Sequence, residues 1–411
     1  MKIQPVRGTH DLHGSELDKF NYIEKMIKDI SSAFGFDEII TPIFESSDLF
    51  KKPLGEHSDV VLKEMYTFLD KNESLLTLRP EYTTPMIRAA ITNNLISRLP
   101  TKLFGFGPMF RRERPQKGRF RQFYQMNFEI LGSDDVLADV ELILIGQTIL
   151  KNLLPNENIN LHINSLGDKD TLKKFKSELS LYYKKFQKDL SLESQKRIED
   201  NPIRILDSKE SKDLKINNGA PKIKNLYSKN ANQRFENVLN LLSKSGISFS
   251  INQNLVRGLD YYCHTVFEFK SINLGSQDTI IGGGKYDGLV KLIGGPNIPG
   301  IGWAGGIERI MLLKESIDKK NIENHLIVTK EIFNDLGFKI LKSFHENNIP
   351  LYWDYKYNLK KSLSFANEKK AKFAIIIGEE EYNKNFYTLK NLTNSNQYEL
   401  SVEELIKKLI R

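Results

Sequence analysis

Cysteine is all but absent from this 411-residue chain, which carries one, Cys263. A single thiol makes neither an internal disulfide nor a Cys-rich zinc site, so packing has to hold the fold. Histidine is sparse as well, with 7 in the chain and none in an H-E-x-x-H spacing, and the sequence marks no metal centre. No apolar run approaches the roughly 20 residues that a membrane helix needs. Arg7 and Asp11 stand where a secretory signal has its apolar stretch, and the expected location is therefore the cytoplasm. Internal repeats and low-complexity tracts are missing too.

What is present describes an ordinary globular chain: 40% hydrophobic and 27% charged residues, with a mean hydropathy of -0.41. At roughly 150 residues per domain the length allows two or three domains. Sixty Lys and Arg against 52 Asp and Glu leave a formal charge of +8. That excess tilts toward a polyanionic partner, although a chain rich in Lys, Asn and Ile also fits a base-biased genome.

Apolar residues at Phe20, Ile23, Ile27 and Ile30 predict an amphipathic helix from Leu17 to Phe34. After Gly35, the run Ile39 to Phe44 reads as a β-rich edge broken by Pro42. A strand, charged loop and strand follow between Leu103 and Leu131, then a helix over Val136 to Leu154. From Lys169 to Lys244 the chain turns to lysine-rich helical segments with breakers at Pro202 and Gly219. Strand-like sequence resumes at Ile247 to Asn252, Leu255 to Lys270 and Gly282 to Asp287, before Gly300 to Leu313 enters a helix. The charged stretch Lys314 to Asn324 reads as a linker, and alternating short strands and helices beyond it predict a small α/β domain.

Three segments carry candidate chemistry. In Gln122 to Ile130, Tyr124, Met126, Phe128 and Ile130 alternate with Phe123, Gln125, Asn127 and Glu129. One face is core and the other a polar floor, with Gln125 and Glu129 roughly 13 Å apart. The preceding loop packs Arg111, Arg112, Arg114, Lys117, Arg119 and Arg121 around Pro115 and Gly118; it reads either as a phosphate clamp or as a solvated hairpin. Leu255 to Phe269 sets Arg257 beside Gly258, with Tyr261 and Tyr262 following, and fits either a small polar ligand or a hairpin at the core edge. Cys263 and His264, as strand neighbours, are expected to point apart and to be structural. Gly300 to Leu312 sets Arg309 off the apolar stripe of Ile307, Ile310 and Met311 near a helix start, where an arginine can meet a phosphate. Gly282 to Gly288 matches neither a dinucleotide fingerprint nor a P-loop.

Together and in this order, Phe36 to Pro42, Phe110 to Leu131 and Gly300 to Leu312 resemble motifs 1, 2 and 3 of class II aminoacyl-tRNA synthetases. The blocks Leu255 to Phe269, Gly282 to Leu289 and Thr77 to Thr83 resemble those of the histidyl-tRNA synthetases, a class IIa family. The resemblance covers nearly the whole chain. It implies an α+β fold, an antiparallel six-stranded sheet flanked by helices, dimerising through motif 1. The implied domains are a catalytic domain at 1–168 and 246–320, an inserted helical module at 169–245, a linker at 321–325 and an anticodon-binding α/β domain at 326–411.

The implied reaction activates L-histidine with ATP, which carries Mg2+, and transfers it to the 3′ end of tRNA(His). By resemblance Arg111 and Arg257 hold the α-phosphate and the histidine carboxylate as catalytic groups, and no metal is bound by the protein itself. Arg309, Arg119 and Glu113 join Arg111 on ATP. Glu81, Thr83, Gln125, Glu129, Tyr261 and Tyr262 match the histidine-binding set, and Tyr286 closes the pocket. Tyr82 and Asn127 depart from smaller residues frequent in the family and are expected to alter the pocket wall. The tRNA would meet the Arg112 to Arg121 loop, the helices around Lys173 to Lys188 and the terminal domain. There Tyr352, Trp353, Tyr355 and Tyr357 either stack on bases or pack on their own helices. Two rivals are a synthetase for another amino acid and a non-catalytic, histidine-binding regulatory paralogue of ATP phosphoribosyltransferase, which typically lacks the anticodon domain and the motif arginines.

Overall fold

The computed structural model describes residues 3–55, 60–259, 261–315 and 323–409, without the side chains of 276 and 277. In chain order the strands are β1 Asp37–Glu38, β2 Phe44–Ser46, β3 Tyr66–Leu69, β4 Leu75–Leu78, β5 Thr101–Phe110, β6 Gln122–Leu131, β7 Ile159–Ser165 and β8 Ser250–Ile251. They continue with β9 Cys263–Ser271, β10 Thr279–Asp287, β11 Pro299–Gly306, β12 Asn324–Val328, β13 Tyr352–Trp353, β14 Phe373–Ile377, β15 Tyr387–Asn391 and β16 Gln397–Leu400. The chain divides into two compact units, Met1–Ser316 and Ile317–Arg411.

The main sheet of the first unit runs β1-β5-β6-β11-β10-β9-β7-β8. Its six middle strands are antiparallel, as the sequence led us to expect. Two short strands extend it in parallel, β1 beside β5 and β8 beside β7, so among the described residues the sheet has eight strands rather than six. The long middle strands exist because β6 alternates two residue sets, and because β10 and β11 carry glycines that let side chains lie flat across the sheet. A Cβ at Gly302 would overlap the Glu129 carboxylate, and one at Gly282 the Arg257 guanidinium. The glycine runs therefore make room for functional side chains within strands.

Helix Gly14–Ala33 buries Phe20, Ile23 and Ile27 against this sheet. Helix Val136–Leu153, capped by Asp135, adds Leu142, Ile145 and Ile149. Trp303 locks the layers together: it stacks on Phe128 at 4.5 Å and donates to the Leu142 carbonyl at 2.8 Å. The run Ile39 to Phe44 is not one strand; it links β1 to a small sheet ordered β2-β4-β3.

Between β7 and β8 lie helices Lys169–Lys185, Leu192–Asp200, Ser211–Asn217 and Lys229–Lys244. Each of the longest two starts on a cap acceptor, Asp168 and Ser228. A core of Phe175, Leu179, Tyr183, Ile198 and Ile205 also takes in Leu255, Val256 and Tyr262, whereas Phe235, Val238 and Leu242 of helix Lys229–Lys244 join the core of the main sheet. The helical insertion thus supports the loop before β9. Buried Asp213 ties its helices, accepting from Ser191, Ser194 and Ser208 at 2.6–2.8 Å.

The second unit has the order β13-β12-β14-β15-β16, with β12 parallel to β13 and β14 and the remaining pairs antiparallel. Strand β12 begins at Asn324, inside the stretch expected as linker, and residues 316–322 of that stretch lie outside the described ones. Trp353 is buried beside Phe338, whereas Tyr352, Tyr355 and Tyr357 are exposed.

Candidate active site

Four arginines that are far apart in sequence, Arg111, Arg119, Arg257 and Arg309, line one cavity of about 220 Å³ in the first unit. Each is held in place. Arg111 donates through Nε to the Pro80 carbonyl at 2.7 Å and lies over the Phe123 ring. Arg119 pairs with Glu113 and reaches Glu64 at 3.7 Å. Arg257 pairs with Glu268 in the space that Gly282 leaves, and Arg309 donates to the Thr279 carbonyl at the start of β10. Burial, with the neighbouring charges of Arg111 and Arg119, brings the Arg309 guanidinium down to about 10; burial also lowers Arg119. Cations that repel one another in a closed space form a receptor for a polyanion.

The same cavity is lined by Glu81, Thr83, Gln125, Tyr261 and Tyr262, with the Arg257 guanidinium 5.8 Å from the Tyr262 ring centroid. Glu81 caps the helix Thr83–Thr92, accepting the backbone N–H groups of Thr83 at 2.8 Å and Thr84 at 2.9 Å. Burial nevertheless raises its carboxyl. Gln125 presents a buried Oε1 without a hydrogen-bond partner. The tyrosine rings pack in series, Tyr261 against Tyr262 at 4.5 Å and against Tyr286 at 5.6 Å.

Glu129 and Tyr286 do not line the cavity; they sit one layer behind it. Glu129 is fully buried, accepting from Thr83 Oγ1 at 2.7 Å and from the Tyr286 hydroxyl at 2.5 Å, and burial pushes its carboxyl up to about 8. The structure thus brings together ten of the twelve expected site residues around one cavity and puts the other two in contact with its wall. Tyr82 does not reach the wall: it is buried beneath Arg79, and Gly105 gives it room. Asn127 lies behind Thr83, donating to its hydroxyl at 3.4 Å.

Comparison with known proteins bears on this arrangement. Residues 8–310 match the family described as Histidyl-tRNA synthetase, and residues 320–411 match the Anticodon binding domain. A histidine–tRNA ligase of Wolbachia pipientis subsp. Culex pipiens is 44% identical over 409 residues, spanning 100% of both chains.

The chain belongs to the histidyl-tRNA synthetase family. Its reaction class is aminoacyl-tRNA ligation. A second relative of this synthetase, the histidine–tRNA ligase of Ehrlichia chaffeensis, is 45% identical over 403 residues, 97% of this chain and 96% of the other. The apo S. aureus histidyl-tRNA synthetase matches with a TM-score of 0.82 at 30% identity, covering 99% of this chain and 100% of that one. A Bacillus halodurans structure described as an ATP phosphoribosyltransferase regulatory subunit/histidyl-tRNA synthetase shares the fold, at 18% identity and a TM-score of 0.65.

Two carboxylates of the synthetase site escaped the sequence reading. Glu308 lines the cavity, accepts the Tyr124 N–H at 2.8 Å, and is pushed up to about 7 by burial. Glu268 orients Arg257 and also receives Lys270 and Thr279, each at 3.1 Å. Their signal was an acid one residue before Arg309 and an acid in the β9 alternation, neither distinctive without the partner strand.

Proposed function

We propose that the cavity holds ATP along its arginine-lined end and histidine against the tyrosine and acid wall, and catalyses formation of histidyl-adenylate. The observation that carries this reading is the meeting of four guanidiniums with Glu81, Thr83, Gln125, Tyr261 and Tyr262 in one cavity. A histidine carboxylate oxygen attacks the α-phosphorus and pyrophosphate leaves. Two anions must approach, and Arg111 and Arg257, fixed beforehand, offset the repulsion that grows along the path. Arg309 and Arg119 neutralise the departing pyrophosphate. Mg2+ brought in on ATP would offset further phosphate charge, with Glu113 and Glu308 the carboxylates on that side of the wall. The histidine ring is read through Thr83, whose hydroxyl hydrogen is committed to Glu129, so that it offers the ring an acceptor. A site built on such hydrogen bonds rejects analogues lacking them by roughly 10⁴–10⁵.

In the second step a terminal ribose hydroxyl of tRNA(His) displaces AMP. The exposed lysines of helix Lys169–Lys185 and the exposed Tyr352 and Tyr355 support contacts with the acceptor arm and the anticodon. None of the helices among the described residues is long and apolar enough to cross a membrane. The cytoplasm is the setting that goes with tRNA charging. Incubation with total tRNA and labelled histidine is expected to give histidyl-tRNA, with pyrophosphate exchange stimulated by histidine alone among the amino acids. Histidine binding without charging would instead favour the regulatory paralogue.

The same reading makes the synthetase a homodimer. Ile40, Ile43 and Phe44, leading into β2, and Phe68 and Leu69 on β3 are apolar yet exposed, Ile40 at 76%. Phe44→Glu combined with Phe68→Glu is expected to shift the mass seen by light scattering from two chains to one. An unchanged mass removes this surface as the interface.

A further inference from the structure

Outside the cavity, the start of β9 departs from regular strand geometry. His264 has φ +47°, a left-handed conformation that a non-glycine residue seldom adopts. The pairing with β10 slips at the same place, Gly284 opposing Val266 but Lys285 opposing Cys263. A bulge of this kind re-aims side chains. Adjacent residues expected to point apart therefore converge: Cys263 Sγ, a His264 ring nitrogen and an Asp287 carboxylate oxygen all lie within 4.8 Å of one another. His264 Nδ1 and Asp287 Oδ1 are buried without a hydrogen-bond partner. His264 and Asp287 of the cluster open onto a concavity of about 590 Å³ that Asp134, Asp168 and Asp170 also line. Lys285 pairs with Asp134 at 3.1 Å and with Asp287 at 3.5 Å, and Arg234 with Asp139 at 2.7 Å, while Lys169 is a further cation lining the concavity.

We infer that Cys263, His264 and Asp287 form a binding site for a divalent transition cation of the zinc class, separate from the adenylation cavity. Thiolate, imidazole and carboxylate together suit zinc and not magnesium or calcium, which take oxygen ligands. Tetrahedral zinc sets its ligands roughly 3.3–3.8 Å apart. His264 Nε2 and Asp287 Oδ2 stand at 3.9 Å, so small side-chain movements close the site. Three protein ligands leave the fourth position to water from the concavity. The ligands directly follow Tyr262 and Tyr286 in sequence, so a bound cation ties β9 to β10 behind the tyrosine wall.

The test uses the full chain, stripped with chelator and titrated with Zn2+ in excess Mg2+, and separately with Co2+. One equivalent is expected to bind, with Co2+ giving tetrahedral d–d bands and a thiolate charge-transfer band. Cys263→Ser should abolish the charge-transfer band and weaken Zn2+ binding at least about 10-fold, the least that loss of even an outer partner costs. His264→Asn, which tolerates the left-handed backbone, should weaken it similarly while leaving aminoacylation unchanged in excess Mg2+ without added Zn2+. Failure of Zn2+ to bind, or binding that neither substitution weakens, overturns the assignment.

Discussion

Replacing Arg257 by alanine is expected to lower histidine-dependent ATP–pyrophosphate exchange by roughly 10²- to 10³-fold, the cost of removing one preorganised donor from a developing charge. Glu268 grips the guanidinium and the missing side chain of Gly282 gives it space, so its orientation is fixed before substrate arrives. The Arg257 guanidinium also stands over the Tyr262 ring, 5.8 Å from its centroid, which sets it beside the tyrosine wall as well as among the arginines. Arg257→Lys keeps the charge but loses the fork, and should recover only part of the rate. Transfer from preformed histidyl-adenylate to tRNA should fall much less in both variants, which separates a lost donor from a damaged fold. Near-normal exchange by the alanine variant would remove Arg257 from the reaction.

Periodicity made the scaffold legible. The period-2 alternation of β6 and the helical spacing at Phe20, Ile23 and Ile27 depend on local sequence alone, and the structure returns both within a few residues. Depth was not legible. Alternation put Gln125 and Glu129 on one face, yet only Gln125 reaches the cavity, because the helix Thr83–Thr92 lies over Glu129, and that is set by tertiary packing. Both tyrosines expected at the site reach it, but the strand pattern did not explain how. Leu255 to Lys270 read as continuous strand, which would send Tyr261 and Tyr262 to opposite faces; β9 begins only at Cys263, and in the loop before it both rings turn to the cavity. Strands β2 to β4 and β16 went unseen because they are short and largely exposed, without a continuous apolar stripe, while β7 and β15, which bury part of their length, were passed over between helical segments. The four arginines came together only through the resemblance, since nothing in their spacing joins residues nearly two hundred positions apart.

Glu129→Gln is expected to make the protein more stable and the enzyme worse. In the folded chain burial pushes the carboxyl up to about 8, whereas in the unfolded chain it returns to the ordinary value near 4.5. Below about pH 4.5 both states hold the proton and the residue costs nothing. As pH rises from there toward 8, unfolding releases that proton, so the wild-type chain loses stability steadily; above 8 the penalty is constant. Glutamine does not titrate, and the variant should gain on wild type with rising pH, by on the order of 2–4 kcal/mol at pH 8. Urea midpoints at pH 5 and pH 8 read this directly. Activity should move the other way. A glutamine amide no longer accepts from both Thr83 and Tyr286, so the Thr83 hydroxyl loses its fixed direction and the histidine ring its acceptor. The KM for histidine should rise roughly 10-fold, about the net worth of one neutral hydrogen bond, with the KM for ATP little changed. A variant that is both less stable at pH 8 and unaltered toward histidine would show that Glu129 serves packing alone.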